Sequence, residues 1–190
     1  MKKTGTLPNV TFHLRERLPD VSEENPFRWV LKSSEALFAG RTVIIVGVPG
    51  AFAPICTANH IPRFEMLHEQ FLAEGVDEIF CTAVNDAFVM RQWALSIDVG
   101  KVKMLPDGNG TFARRMGALV GKDNLGFGAR SWRYALLAKD SQITTVFAEE
   151  GLQDDAVEDP FERSDADAML AYLRGETPGG VVSATRAFSG

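Results

Sequence analysis

Residues 41–48 form a β-branched run, Arg-Thr-Val-Ile-Ile-Val-Gly-Val, which ends at Pro49 and Gly50. The apolar part of this run has no alternating polar residues, and such a pattern is typical of a strand buried on both faces of a sheet. Both faces of that sheet must be covered, and helices are the usual cover. The run therefore predicts an α/β fold.

The rest of the chain continues this pattern of strands and helices. Apolar residues recur at helical spacing over residues 54–74, where Pro62 is expected to kink the helix. After it we predict strands over 78–84 and 102–105, helices over 87–97 (capped by Asp86) and 111–116, a hairpin of strands 132–138 and 143–147, and a helix over 164–174. This order favours a thioredoxin-like α/β fold, with a mixed central β-sheet flanked by helices on both faces.

The length of 190 residues fits one domain, which we place at residues 1–175. Residues 20–25 are a polar stretch near its start. Residues 176–190 are rich in Gly, Ser and Thr, so they are predicted to form a flexible C-terminal tail.

Charge and hydropathy exclude several classes of partner. A net charge of −5 argues against a nucleic acid or an anionic membrane, because both require a basic surface. The longest apolar stretch has strand length, well short of the roughly 20 residues that span a bilayer. No apolar run follows Met1, so no secretory signal is predicted and a cytoplasmic location is expected. The two cysteines are too few for a disulfide scaffold, and in a reducing cytoplasm they are expected to be free or catalytic.

Cys56 lies where the chain passes from the first buried strand into the helix that follows. The unpaired N–H groups and the dipole of a helix start favour a negative charge. We therefore expect the thiol to ionise more easily than a free thiol, whose pKa is about 8.5, and to act as a nucleophile. The alternative is that Cys56 is a small buried hydrophobic residue.

Pro49-Gly50-Ala51-Phe52-Ala53-Pro54-Ile55-Cys56 resembles the peroxidatic loop of peroxiredoxins, whose pattern is Pro-x-x-x-Thr/Ser-x-x-Cys. Pro-Gly-Ala-Phe with a later His-x-Pro is similar to the type II subgroup, which includes the peroxiredoxin-V proteins. Three further segments resemble that subgroup in the same order, and the likeness extends over residues 27–173. These segments are residues 83–90, 126–134 and 164–173.

The resemblance implies a thiol peroxidase that reduces hydrogen peroxide and alkyl hydroperoxides. Cys56 would attack a peroxide oxygen and become a sulfenic acid. Arg133 matches the family's active-site arginine, with Arg130 as the nearby alternative, and the pocket would include Pro49, Phe52 and Ala53. Neither a cofactor nor a metal is expected.

Ala53 departs from the family pattern, which has Thr or Ser at this position. A hydroxyl can hold a peroxide by accepting one hydrogen bond and donating another, and an alanine side chain can do neither. The expectation is a weakened peroxidase. Ala53 also leaves open an alternative function, a thioredoxin-like redox-sensing or binding protein whose Cys56 reacts slowly.

Two histidines lie near or after Cys56. His60 could add positive charge or form a metal site, but zinc needs three or four ligands, so a structural, hydrogen-bonded His60 is preferred. His68 occupies a charged stretch and is predicted to face solvent.

Cys81 could resolve the sulfenic acid, as a second cysteine does in plant type II peroxiredoxins. We prefer instead that it packs in the sheet, because cysteine in a central strand usually does. The resemblance then implies an external reductant, either glutathione with glutaredoxin or thioredoxin. It also implies a homodimer, for which Phe52, Phe88 and Trp93 are candidate surface residues, although core packing explains each equally well.

Overall fold

The structure is a computed structural model that describes residues 1–17 and 25–176. The polar stretch predicted at residues 20–25 therefore falls almost wholly outside the described residues. The tail predicted at residues 176–190 does so too, and the flexible tail and the domain boundary remain predictions.

A mixed six-stranded sheet forms the centre of the fold. Its strands are β1 (Gly5–Thr6), β4 (Thr42–Gly47), β5 (Glu78–Ala83), β6 (Lys103–Pro106), β9 (Tyr134–Lys139) and β10 (Gln142–Ala148). They lie in the order β1-β10-β9-β4-β5-β6; strands β4, β5 and β6 run parallel, and β9 pairs antiparallel with both β4 and β10. The parallel unit and the hairpin are both as predicted.

Two small antiparallel ladders accompany the main sheet. One pairs β2 (Thr11–Arg17) with β3 (Phe27–Ser33), and the other pairs β7 (Leu119–Gly121) with β8 (Ala129–Ser131). Neither ladder was predicted from the sequence.

Helices cover both faces of the main sheet. One apolar core includes α2 (Ile61–Met66), α3 (His68–Ala73), α4 (Ala87–Ser96) and α6 (Ala166–Leu173). The other includes α1 (Ser34–Phe38) and α5 (Thr111–Met116). A 3-10 turn over Asp123–Leu125 lies between β7 and β8. The fold is therefore the predicted thioredoxin-like one, and no helix of the described residues is long and apolar enough to cross a membrane.

The helix predicted over residues 54–74 is interrupted twice. A π-helical turn over Cys56–His60, in which the N–H of Ile61 donates to the carbonyl of Cys56, directly precedes α2, whose second residue is Pro62. A second break at Leu67 separates α2 from α3. His68, the first residue of α3, is buried, so the prediction that it faces solvent is wrong: it shares the inward face of α3 with Phe71, three residues on.

Candidate active site

The loop between β4 and the π-helical turn places Cys56 at the carboxyl end of the central strands. Asn85, which follows β5, accepts a hydrogen bond from the N–H of Ala51 at 3.0 Å and so fixes this loop. Phe52 has a left-handed backbone (φ 63°), a conformation rare for a non-glycine residue and enriched at functional sites. The turn buries Cys56 completely, while Phe52 stays 52% exposed at the rim and Pro49 and Ala53 are half-buried.

Gly47 ends β4 beneath this loop, where there is no room for a side chain. A Cβ added at Gly47 would lie 2.1 Å from the ring of Tyr134, which pairs with it across the sheet. The glycine therefore leaves room for the ring of Tyr134, the first residue of β9, which directly follows Arg133.

Arg133 reaches the thiol from the start of β9. Its Nη1 donates to the Sγ of Cys56 at 3.2 Å, although the two residues are 77 positions apart in the chain. Its side chain is 1% exposed. Arg130, the alternative, instead lies over the ring of Phe127, with its Nη1 donating to the carbonyl of Ala129. The structure thus brings Arg133, and not Arg130, into contact with the thiol of Cys56.

Complete burial changes the electrostatics expected for Cys56. Burial raises the pKa of the Cys56 thiol above its ordinary value and outweighs the charge and hydrogen bond of Arg133 and the N–H of Gly50, which lower it. The prediction of easier ionisation is therefore wrong for this closed pocket, because the thiol has lost its contact with water. The favourable positive charge that remains comes from Arg133.

His60 is fully buried beside Arg133. Its Nε2 donates to the carbonyl of Ser164 at 2.8 Å, which leaves the Nδ1 lone pair facing Nη1 of Arg133 at 3.4 Å. Burial and the Arg133 charge lower the pKa of His60 to about 3. His60 is neutral near pH 7, so it adds no positive charge to the thiol, and the preferred hydrogen-bonded reading is confirmed.

Cys81 lies in β5, within the same apolar core as Cys56, and both thiols are free. Burial raises the pKa of Cys81 well above its ordinary value, with a smaller contribution from Cys56. The preferred packing of Cys81 in the sheet is thus what the structure has, and burial keeps the thiol protonated near pH 7.

Trp93 is wrong as a surface candidate. It lies on the buried face of α4 with Ala87 and Met90, and its indole donates to the hydroxyl of Thr57 at 3.0 Å. Phe88, on the opposite face of the helix, is 59% exposed. Of the apolar candidates, Phe52 and Phe88 remain on the surface.

The sequence reasoning missed the segment that closes the site opposite the loop. Asp159 and Pro160 both accept hydrogen bonds from Arg133, and the ring of Phe161 lies 4.8 Å from that of His60. This segment is neither helix nor strand and has no periodicity to signal it. An Asp-Pro pair before a helix cap was its one local signal.

Comparison with known proteins gives consistent matches. Residues 13–170 match the Redoxin family. The chain is 52% identical to Peroxiredoxin sll1621 of Synechocystis over 184 residues, which cover 97% of each chain. Its fold is similar to the antioxidant protein (1-Cys peroxiredoxin) of Plasmodium falciparum, at 29% identity and a TM-score of 0.83 over 93% of this chain and 100% of that one. It is also similar to reduced Prx3 of Vibrio vulnificus in complex with hydrogen peroxide, at 34% identity and a TM-score of 0.77 over 92% and 96%.

Proposed function

Since this chain belongs to the Redoxin family and is a peroxiredoxin, a thiol-dependent peroxidase, we propose that Cys56 is its peroxidatic cysteine and that Arg133 stabilises the reaction. The observation that carries this assignment is the 3.2 Å contact between Nη1 of Arg133 and Sγ of Cys56 in a closed pocket. The test is peroxide consumption by the intact chain, which substitution of Cys56 must remove. The alternative of a redox-sensing protein is not favoured, because the matches to two peroxiredoxins cover 97% and 89% of those relatives.

In the proposed reaction, the thiolate of Cys56 attacks one oxygen of hydrogen peroxide or an alkyl hydroperoxide. A sulfur–oxygen bond forms, the O–O bond breaks, and the departing oxygen leaves as water or an alcohol after protonation. Negative charge moves from the sulfur to the departing oxygen. Arg133 can stabilise this charge because its Nη1 already donates to the sulfur.

We propose that an external thiol regenerates Cys56. The first thiol forms a mixed disulfide with the sulfenic acid and releases water, and a second thiol then displaces Cys56. Cys81 is a poor candidate for this step, since it is fully buried and protonated. Glutathione with glutaredoxin, or thioredoxin, fits the step in chemical terms, and we place the cycle in the reducing cytoplasm.

Ala53→Thr is expected to increase the rate of Cys56 oxidation by up to about 10²-fold, since loss of one preorganised hydrogen bond at a transition state costs about 10²–10³-fold in rate. Ala53 is half-buried in the loop beside Cys56, where a hydroxyl could hold the peroxide. Stopped-flow mixing with hydrogen peroxide measures the rate. Ala53→Val, which has the shape of threonine without the hydroxyl, is the matched control. An equal gain in both variants, or none in the threonine variant, would show that the hydroxyl is not the missing group.

We propose a homodimer that covers Phe52 at the rim of the site and Phe88 at the start of α4. Phe52 and Phe88 are 52% and 59% exposed, and aromatic side chains are enriched at protein–protein interfaces. Sedimentation velocity at micromolar concentration should give twice the 20.8 kDa mass of the chain, and Phe88→Glu should shift this toward the monomer. Leu152→Glu, at another exposed apolar residue, is the control. A monomeric parent would contradict the proposal.

A further inference from the structure

The guanidinium of Arg133 makes five hydrogen-bond contacts through its three nitrogens. Nε donates to the carbonyl of Pro160 at 3.0 Å. Nη1 faces the Sγ of Cys56 at 3.2 Å and Nδ1 of His60 at 3.4 Å. Nη2 donates to both carboxylate oxygens of Asp159, at 2.6 and 2.5 Å. Rotation of the guanidinium would break several of these bonds at once, so its Nη1 edge is held toward the sulfur.

Asp159 differs from the other acceptors because it carries a full negative charge. Its side chain is 45% exposed, whereas Arg133 is 1% exposed. The carboxylate is therefore partly in water, whereas the guanidinium is not. Solvent screens the carboxylate on its exposed side only, so the buried guanidinium still experiences part of the negative charge.

Glu149 fixes the segment that carries Asp159. Its buried carboxylate accepts the backbone N–H groups of Glu162, Arg163 and Ser164, and the hydroxyl of Ser164 as well. Its own backbone N–H donates to the carbonyl of Arg133. These contacts anchor residues 162–164, three to five positions after Asp159, and they do not depend on the ion pair itself.

We propose that Asp159 is a positioning residue that, through the Nη2 edge of Arg133, offsets part of the guanidinium charge and thereby keeps the Cys56 thiolate strongly nucleophilic. The inference rests on the proposed roles of Cys56 and Arg133. Within residues 1–17 and 25–176, four ionisable groups act on or face this site: Arg133 is positive, Asp159 is negative, and His60 and Cys81 are neutral near pH 7. The balance between Arg133 and Asp159 therefore sets the charge at the sulfur.

A thiolate that is stabilised too strongly is a weaker nucleophile, because nucleophilicity falls as the thiol pKa falls, with a Brønsted slope of about 0.4–0.5. Arg133 lowers the pKa of Cys56 and Asp159 raises it, although burial has the largest effect. Removal of the Asp159 charge should thus lower the pH at which the thiolate forms. It should also reduce the rate at high pH, where every molecule is already ionised.

Asp159→Asn is the test, since asparagine keeps the size and one acceptor oxygen but loses the charge. Thiolate formation is followed by ultraviolet absorbance against pH in a Cys81→Ser background, and peroxide oxidation by stopped flow across the same range. The midpoint of Cys56 thiolate formation should fall by about 0.5–1 pH unit, less than the 1–3 units that a charge in direct contact produces. The plateau rate should fall by about 1.5-fold to threefold, because a Brønsted slope of about 0.4–0.5 converts a fall of 0.5–1 pKa unit into that factor.

Two variants separate charge from structure. Asp159→Glu keeps the charge and should keep the midpoint of the parent. Glu158→Gln removes the neighbouring exposed carboxylate and should leave both midpoint and plateau unchanged. An unchanged or raised midpoint in Asp159→Asn would overturn the inference. The absorbance titration needs no turnover, so a parent that titrates normally but does not reduce peroxide would refute the proposed function instead.

Discussion

Replacing Cys56 with serine should abolish peroxide reduction, lowering turnover to the rate of the reductant alone. The reaction requires a thiolate to attack the O–O bond and a sulfur to hold the transferred oxygen, and a hydroxyl does neither at neutral pH. The fold should survive, because serine is close in size to cysteine and its oxygen can still accept from Nη1 of Arg133. Peroxide consumption with an excess of small-molecule dithiol measures turnover, and a sulfenic-acid trap followed by mass spectrometry identifies the oxidised residue.

Cys81→Ser is the matched control for this experiment. Cys81 is fully buried in β5 and its pKa is raised, so the variant should keep most of the turnover with an external thiol, and the trap should still label Cys56 alone. Complete loss in Cys81→Ser would make Cys81 the resolving thiol after all. Persistent turnover in Cys56→Ser would contradict the assignment of the nucleophile.

The fold could be predicted well wherever local pattern and packing agree. The β-branched run before Pro49 became β4, Asp86 caps α4 through the N–H groups of Phe88 and Val89, and the hairpin of β9 and β10 lies where the turn indicated it. The resemblance to type II, peroxiredoxin-V-like peroxiredoxins is confirmed, since such proteins are among the relatives. In these segments the sequence alone already contains the reason for the structure.

The parts that failed depend on contacts between distant segments. Arg133 meets Asp159 26 positions further along the chain, and the segment between them that follows β10 has no period to read. Trp93 could face the core or a partner on pattern alone, and only packing decided between them. The ionisation of Cys56 was mispredicted for a related reason. The helix start, which favours the thiolate, is visible in the sequence. The depth of burial, which raises the pKa of the thiol, is not.

Arg133→Gln should reduce the rate of Cys56 oxidation by about 10²–10³-fold, the usual cost of one preorganised donor at a developing negative charge. The variant loses two effects of the guanidinium. Arg133 lowers the pKa of Cys56, so its loss should raise the midpoint of thiolate formation, and this part of the defect disappears at high pH. Stabilisation of the departing oxygen is lost at every pH, so the plateau of the pH–rate profile should remain low.

Arg133→Lys distinguishes charge from geometry at the same position. A lysine keeps the positive charge but has no planar fork, so it cannot face Cys56, Pro160 and Asp159 together as Arg133 does. Compared with Arg133→Gln, it should therefore bring the midpoint of thiolate formation most of the way back to that of the parent, but recover little of the plateau rate. Arg130→Gln, at the rim arginine that does not contact the thiol, is the control and should change the rate less than about threefold, an effect below 1 kcal/mol. If Arg130→Gln matched Arg133→Gln, or if Arg133→Gln reached the parent plateau at high pH, the stabilising role would not belong to Arg133. The raised midpoint of Arg133→Gln and the lowered midpoint of Asp159→Asn would together show that two opposed charges set the reactivity of one buried sulfur.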